Sequence, residues 1–138
     1  MNCTFFGHRD APNHIKSALK DAILKCINAG VTQFYVGNNG NFDFLAQCLL
    51  RQMSKEHSIK YSIALSYINE KAIAGDQEAT IFPEGLELVP PRFAISKRND
   101  WLLSCCSVVI AYSSHKPSNS QKWIEKAQKR GLNVIMLK

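Results

Sequence analysis

A chain of 138 residues with 46% apolar side chains and a formal charge of +6 has room for one compact domain with a substantial core, and little length for a second. Met1 to Gly7 carries neither a basic leader nor a long apolar run, and no later stretch could span a bilayer, so the expectation is a soluble, cytoplasmic protein with no membrane partner. The positive balance favours an anionic partner: a nucleotide, a phosphorylated metabolite or nucleic acid.

Cys3 to Phe6 is a short apolar run stopped by Gly7, as in a buried first strand whose carboxyl end carries His8, Arg9 and Asp10. Asp10 is placed to cap a helix with Pro12 in its first turn. Ile15, Leu19, Ile23 and Ile27 recur along that helix at fourfold spacing, and Gly30 ends it. Val31 to Val36 reads as a second strand, after which Gly37-Asn38-Asn39-Gly40-Asn41-Phe42-Asp43 turns into a helix with Leu45, Leu49 and Met53 on its inner stripe. Tyr61 to Leu65 is a third strand. Residues 66 to 91, broken by Gly75, Pro83, Gly85, Pro90 and Pro91, read as an irregular excursion with a short helix near Glu70 to Ala74.

Ser96 reads as the cap of a helix through Cys105, and Ser107 to Tyr112 as a fourth strand. A polar loop from Ser113 to Ser120 leads to a helix from Gln121 to Arg130, and Asn133 to Leu137 closes the pattern as a fifth strand. Strands alternating with helices predict parallel βαβ units with right-handed crossovers. The expected fold class is α/β, a doubly wound, mainly parallel five-stranded sheet flanked by helices, in one domain over residues 1–138. The expected strand order is 3-2-1-4-5, with ligands at the carboxyl edge where the winding reverses between strands one and four.

The stretch from Gly37 to Asp43 has the composition of a phosphate cradle. Gly37 and Gly40 admit positive φ and close backbone approach, the next helix offers unpaired N–H groups, and Asp43 stands beside them. An ordinary connector with Asn41 as N-cap explains the same stretch equally well. Arg98 is expected in the first turn of its helix, where a cation opposes the dipole by about 0.3–1 kcal/mol unless an anion is bound; a solvated arginine reaching away is the plain alternative. On that placement, truncating Arg98 should weaken a ligand and spare the fold.

His8 and Arg9 pair a tunable proton donor with a planar fork suited to phosphate, or simply end a strand. Asp43, Glu84 and Glu87 are the candidate catalytic acids, separate surface carboxylates being the commoner explanation. Trp101 and Trp123 fall in helical patterns and read as core or half-buried side chains before base-stacking platforms. The five cysteines, Cys3, Cys26, Cys48, Cys105 and Cys106, read as reduced and mostly buried. The adjacent pair reads as poorly placed to grip one metal, and no metal site is expected. No G-x-S-x-G elbow, Walker lysine, H-E-x-x-H or G-x-G-x-x-G fingerprint is present, which weakens hydrolase, P-loop and zinc-protease readings.

Four stretches together carry a family resemblance: Phe5-Phe6-Gly7-His8-Arg9-Asp10; Tyr35-Val36-Gly37 through Gly40-Asn41-Phe42-Asp43 with Ala46; Phe82-Pro83-Glu84-Gly85-Leu86-Glu87; and Lys97-Arg98-Asn99 with Trp101. In this order they resemble the YpsA-like branch of the SLOG superfamily, which groups the DNA-processing protein DprA with the LOG cytokinin-activating enzymes. The resemblance runs through nearly the whole chain. It implies a Rossmann-like domain that recognises nucleotides or nucleotide-derived molecules, with ligand contacts from Gly7, His8, Arg9, Gly37, Asn38, Asn39, Gly40, Asp43, Arg98 and Asn99.

After its fourth strand the branch usually has a Gly-Gly-Ala or Gly-Gly-Thr turn, and this chain has Ser118-Asn119-Ser120. These side chains hinder the closest backbone approach to phosphate, while their hydroxyls and amide can themselves bind an anion. Arg98 matches an arginine of the LOG enzymes, and Glu125 matches their helix glutamate when the loop is aligned on Pro117. Three functions are expected in descending order: binding, as a sensor, of a nucleoside phosphate or ADP-ribose-like ligand; cleavage of an N-glycosidic bond by a phosphoribohydrolase-like enzyme; and a DprA-like single-stranded nucleic-acid module. Beyond the nucleotide-type ligand no cofactor is expected, and a homodimer through a helical face is an open expectation.

Overall fold

The computed structural model describes residues 1–66, 80–83, 85–114 and 119–137, with backbone alone for Glu87 and Asn119. Strands β1 (Asn2–Gly7), β2 (Gln33–Val36), β3 (Lys60–Ala64), β4 (Thr80–Ile81), β5 (Val108–Tyr112) and β6 (Asn133–Leu137) form one sheet in the order β4-β3-β2-β1-β5-β6. Every pairing is parallel. The expected order is found, with six strands where the sequence suggested five. The addition, β4, is two residues long, too short to show any alternation. It docks on the edge through the bond that Leu65 N–H donates to the Ile81 carbonyl at 2.9 Å. The short helix expected near Glu70 to Ala74 lies outside the described residues.

Among the described residues four α-helices cover the sheet: α1 (Lys16–Asn28), α2 (Asn41–Glu56), α3 (Ala94–Cys105) and α4 (Asn119–Lys129). Alternation along β1 sorts the two faces. Cys3 and Phe5 join Phe34, Val36, Ile63 and Ile110 beneath Leu19 and Ile23 of α1 and Leu49, Leu50 and Met53 of α2. Phe6 instead meets Val109 and Ala111 beneath Leu102 and Leu103 of α3 and Trp123, Ile124 and Ala127 of α4. All five residues of β5 are buried, as a strand covered on both faces requires. Among the described residues, no helix is long and apolar enough to cross a membrane.

Helix starts depart from the expected caps. Asp10 is exposed, and α1 is entered through a 3-10 turn at Asn13–Ile15 with Pro12 ahead of it, so proline geometry replaces a side-chain cap. Ser96 is the third residue of α3, not its cap. Pro90 and Pro91 set a 3-10 turn at Pro91–Phe93 that starts α3 three residues earlier, with Phe93 at the N-cap position. Gly40, not Asn41, precedes α2. The Asn41 amide instead donates to the Ala11 carbonyl at 2.6 Å and to Asn13 Oδ1 at 2.9 Å, clamping the β1–α1 connection against the start of α2.

Candidate functional site

The winding reverses between β1 and β5, and beside that point a cavity of about 470 Å³ opens over the carboxyl end of β1. Phe6, Ile95, Leu102 and Trp123 give it an apolar wall, with Trp123 stacked on Phe6 at 6.1 Å between ring centroids. Of the residues expected at a site, Gly7, His8, Arg9, Gly37, Asn39, Asp43, Arg98, Asn99 and Ser120 line it. Asn38 and Gly40 belong to the same turn but not to the wall. Glu84 and Ser118 lie outside the described residues, as do the side chains of Glu87 and Asn119. Glu125 is exposed, accepts from Gln121 Nε2 at 3.2 Å and does not line the cavity.

The glycine turn is closed by the protein's own atoms. Gly40 has φ +95°, as expected, but a Cβ there would stand 2.5 Å from Arg9 Cα, so its bareness admits the β1–α1 loop. Asn41 N–H donates to the Arg9 carbonyl at 2.8 Å across the same approach. Gly37 is not a positive-φ residue. A Cβ at Gly37 would lie 2.7 Å from Asp43 Oδ2 and 3.0 Å from Arg98 Nη1. Gly40→Ala is expected to destabilise the protein by about 1–3 kcal/mol through strain and overpacking. Urea unfolding checks it, and an unchanged midpoint would mean that the two loops separate freely.

Arg98 is 3% exposed, and as the fifth residue of α3 it sits in the second turn, not the first. Its guanidinium is engaged on three sides. Nη1 donates to Asn39 Oδ1 at 2.7 Å, to Asn38 Oδ1 at 3.3 Å and to the Ala64 carbonyl at 3.3 Å, while Nε and Nη2 donate to Asn99 Oδ1 at 3.2 and 3.1 Å. One side chain thus fastens the β2–α2 turn, the end of β3 and α3 together. Gln47, one turn beyond Asp43 and fully buried, adds a second fastening by donating to the Gly37 carbonyl at 2.8 Å.

Asp43 accepts from the Asn39 backbone N–H at 3.0 Å. Burial pushes its carboxyl up to about 6, against the opposing pull of Arg98, the Asn39 hydrogen bond and Arg9. His8 is buried, and its Nε2 accepts the Ser114 backbone N–H at 2.8 Å, which fixes a neutral ring with the proton on Nδ1. This nitrogen therefore anchors the loop after β5 and does not present the proton donor that the sequence suggested.

Two cations in the wall were not foreseen. Arg92 lies in the turn that opens α3, and Lys122 in the first turn of α4; both are exposed. A cation at a helix N-terminus opposes the dipole, and that signal is legible in the sequence at Lys122, near the start of the expected helix from Gln121, but not at Arg92, which lies ahead of the expected Ser96 cap. With Arg9 and Arg98 they make four guanidinium or ammonium groups around one carboxylate, Asp43, among the described lining residues.

The fold and this cavity define a doubly wound α/β domain with a predominantly cationic pocket at its switch point. No protein-family model matches the chain, and no curated protein matches it.

Proposed function

We propose that the cavity binds a nucleotide or nucleotide-derived anion, and that the chain belongs to the YpsA-like branch of the SLOG superfamily, acting as a cytoplasmic sensor of that ligand. The observation that carries this reading is the charge arrangement: Arg9, Arg92 and Lys122 are exposed at the rim of a pocket whose inner wall is Phe6, Leu102 and Trp123. Such a wall suits a base or sugar, and the rim suits phosphate. The volume of about 470 Å³ lies in the range of small-molecule sites, roughly 300–1,000 Å³. Arg98 acts here through the turn it fastens.

A thermal-shift panel of nucleoside mono- and diphosphates, ADP-ribose, NAD and sugar phosphates tests the reading. A ligand at a hundred times its Kd adds about 2.7 kcal/mol of stability, and no shift across the panel would remove the proposal. For a ligand that binds, Arg9→Ala, Arg92→Ala and Lys122→Ala should each weaken affinity roughly ten- to a hundredfold. Stability without ligand should stay within about 0.5 kcal/mol, because all three side chains are exposed.

Asp43 favours a second reading. A carboxyl held near 6 in the wall of the cavity is suited to donate a proton to a departing base, the role an N-glycosidic-bond-cleaving enzyme needs. Free base accumulating during the titration would select this reading over a sensor. Steep loss of affinity with salt, together with a site spanning several nucleotides, would instead select the nucleic-acid module.

A further inference from the structure

Away from the cavity, at the opposite edge of the sheet, Cys105 ends α3 and Cys106 follows it in extended backbone before β5. Their sulfurs stand 3.8 Å apart, with Cys105 half-buried and Cys106 buried. The sequence suggested that this adjacent pair was poorly placed to grip one metal. Here the pair straddles the change from helix to strand, and the two side chains converge. Bonds of about 2.3 Å, the length zinc makes to thiolate, drawn from both sulfurs to one atom would meet at about 110°. Direct S–S bonding suits the pair less well: neighbours across a trans peptide have Cα atoms about 3.8 Å apart, below the usual disulfide range of about 4.4–6.8 Å.

We propose that Cys105 and Cys106 form a vicinal dithiol that chelates a single thiophilic centre, of which a trivalent arsenical is the simplest representative. The hydrogen bond between the two sulfurs lowers the Cys105 thiol and, together with burial, pushes the Cys106 thiol up, so Cys105 reacts first and Cys106 closes the ring. An organoarsenic(III) oxide, R–As=O, forms two As–S bonds. Its oxygen leaves as water with both thiol protons, arsenic stays trivalent, and neither sulfur is oxidised. Cys3 and Cys26 also perturb one another's thiols, but both are buried between β1 and α1, and Cys48 lies on α2.

The test uses phenylarsine oxide and intact-mass spectrometry of the reduced, folded protein. One equivalent should bind, resist excess monothiol and be released by dithiothreitol, and proteolytic mapping should place it on the fragment containing Cys105 and Cys106. Cys105→Ser, a half-buried position at a helix end, should remain folded by circular dichroism and lose the adduct to monothiol roughly 10²- to 10⁴-fold faster, because the second bond is intramolecular. Cys106→Ala should do the same. No adduct on the native protein, a monothiol-resistant adduct that survives Cys105→Ser, or mapping to Cys3 and Cys26 would each overturn the proposal.

Discussion

Arg98→Ala is expected to lower folding stability by roughly 3–5 kcal/mol near pH 7, the cost of leaving buried acceptors on three segments without their donor. The sequence placed Arg98 at a helix start with its charge opposing the dipole, so that its removal would spare the fold. The structure reverses that expectation. Truncation leaves the amide oxygens of Asn38, Asn39 and Asn99 and the Ala64 carbonyl without this donor, and removes the cation that most favours ionised Asp43. Arg98→Lys should recover only part of the loss, because one ammonium cannot reach acceptors on three segments with the geometry of a planar fork. Urea unfolding of the three proteins decides between the two accounts. A loss below about 1 kcal/mol for Ala, accompanied by loss of ligand binding, would return Arg98 to direct ligand contact.

Asp43→Asn is expected to act in the opposite direction. Burial raises the carboxyl from 3.8 to about 6, so the folded protein holds this proton more tightly than the unfolded chain. The stabilisation that follows is complete below about pH 4 and is lost as pH rises through about 6, leaving the ionised group disfavoured at pH 7. Asparagine keeps an oxygen for the Asn39 N–H and carries no charge. The variant should therefore gain roughly 1–3 kcal/mol relative to the native protein at pH 7, and nothing at pH 4. Denaturation measured across pH 4 to 8 checks this, and a difference independent of pH would mean that the Arg98 and Arg9 charges already compensate Asp43. The same charge should oppose anion binding, so on the proposed function the affinity of the native protein should rise as pH falls through 6 for a ligand whose own charge is constant there. Asp43→Asn should flatten that profile.

Much of the architecture is written locally. Val108 to Tyr112 is apolar without a break because β5 is covered on both faces, and Ile15, Leu19 and Ile23 repeat at a helical period because one side of α1 meets the sheet. Such patterns depend on neighbours in the chain and survive in a one-dimensional reading. They were enough for the α/β class, the parallel pairing and the order of the five longer strands. The two-residue β4 escaped because it is defined by its pairing with a neighbouring strand and is too short to carry a pattern of its own.

The carboxyl edge divides differently. Sequence alone marked His8, Arg9, the turn at Gly37 to Gly40, Asp43 and Arg98 as belonging together, because each follows a strand or opens a helix. Tertiary structure decided what each of them does. Gly37 and Gly40 are bare to admit Asp43, Arg98 and the Arg9 backbone, His8 anchors Ser114, and Arg98 has become a fastening while Arg92 and Lys122 hold the open rim. These roles turn on distances between groups tens of residues apart, 59 residues in the case of Arg98 and Asn39. Residue type and spacing determine which chemistry is available at the end of a strand; only the packed chain determines whether that chemistry is spent on the protein's own backbone or left facing a cavity.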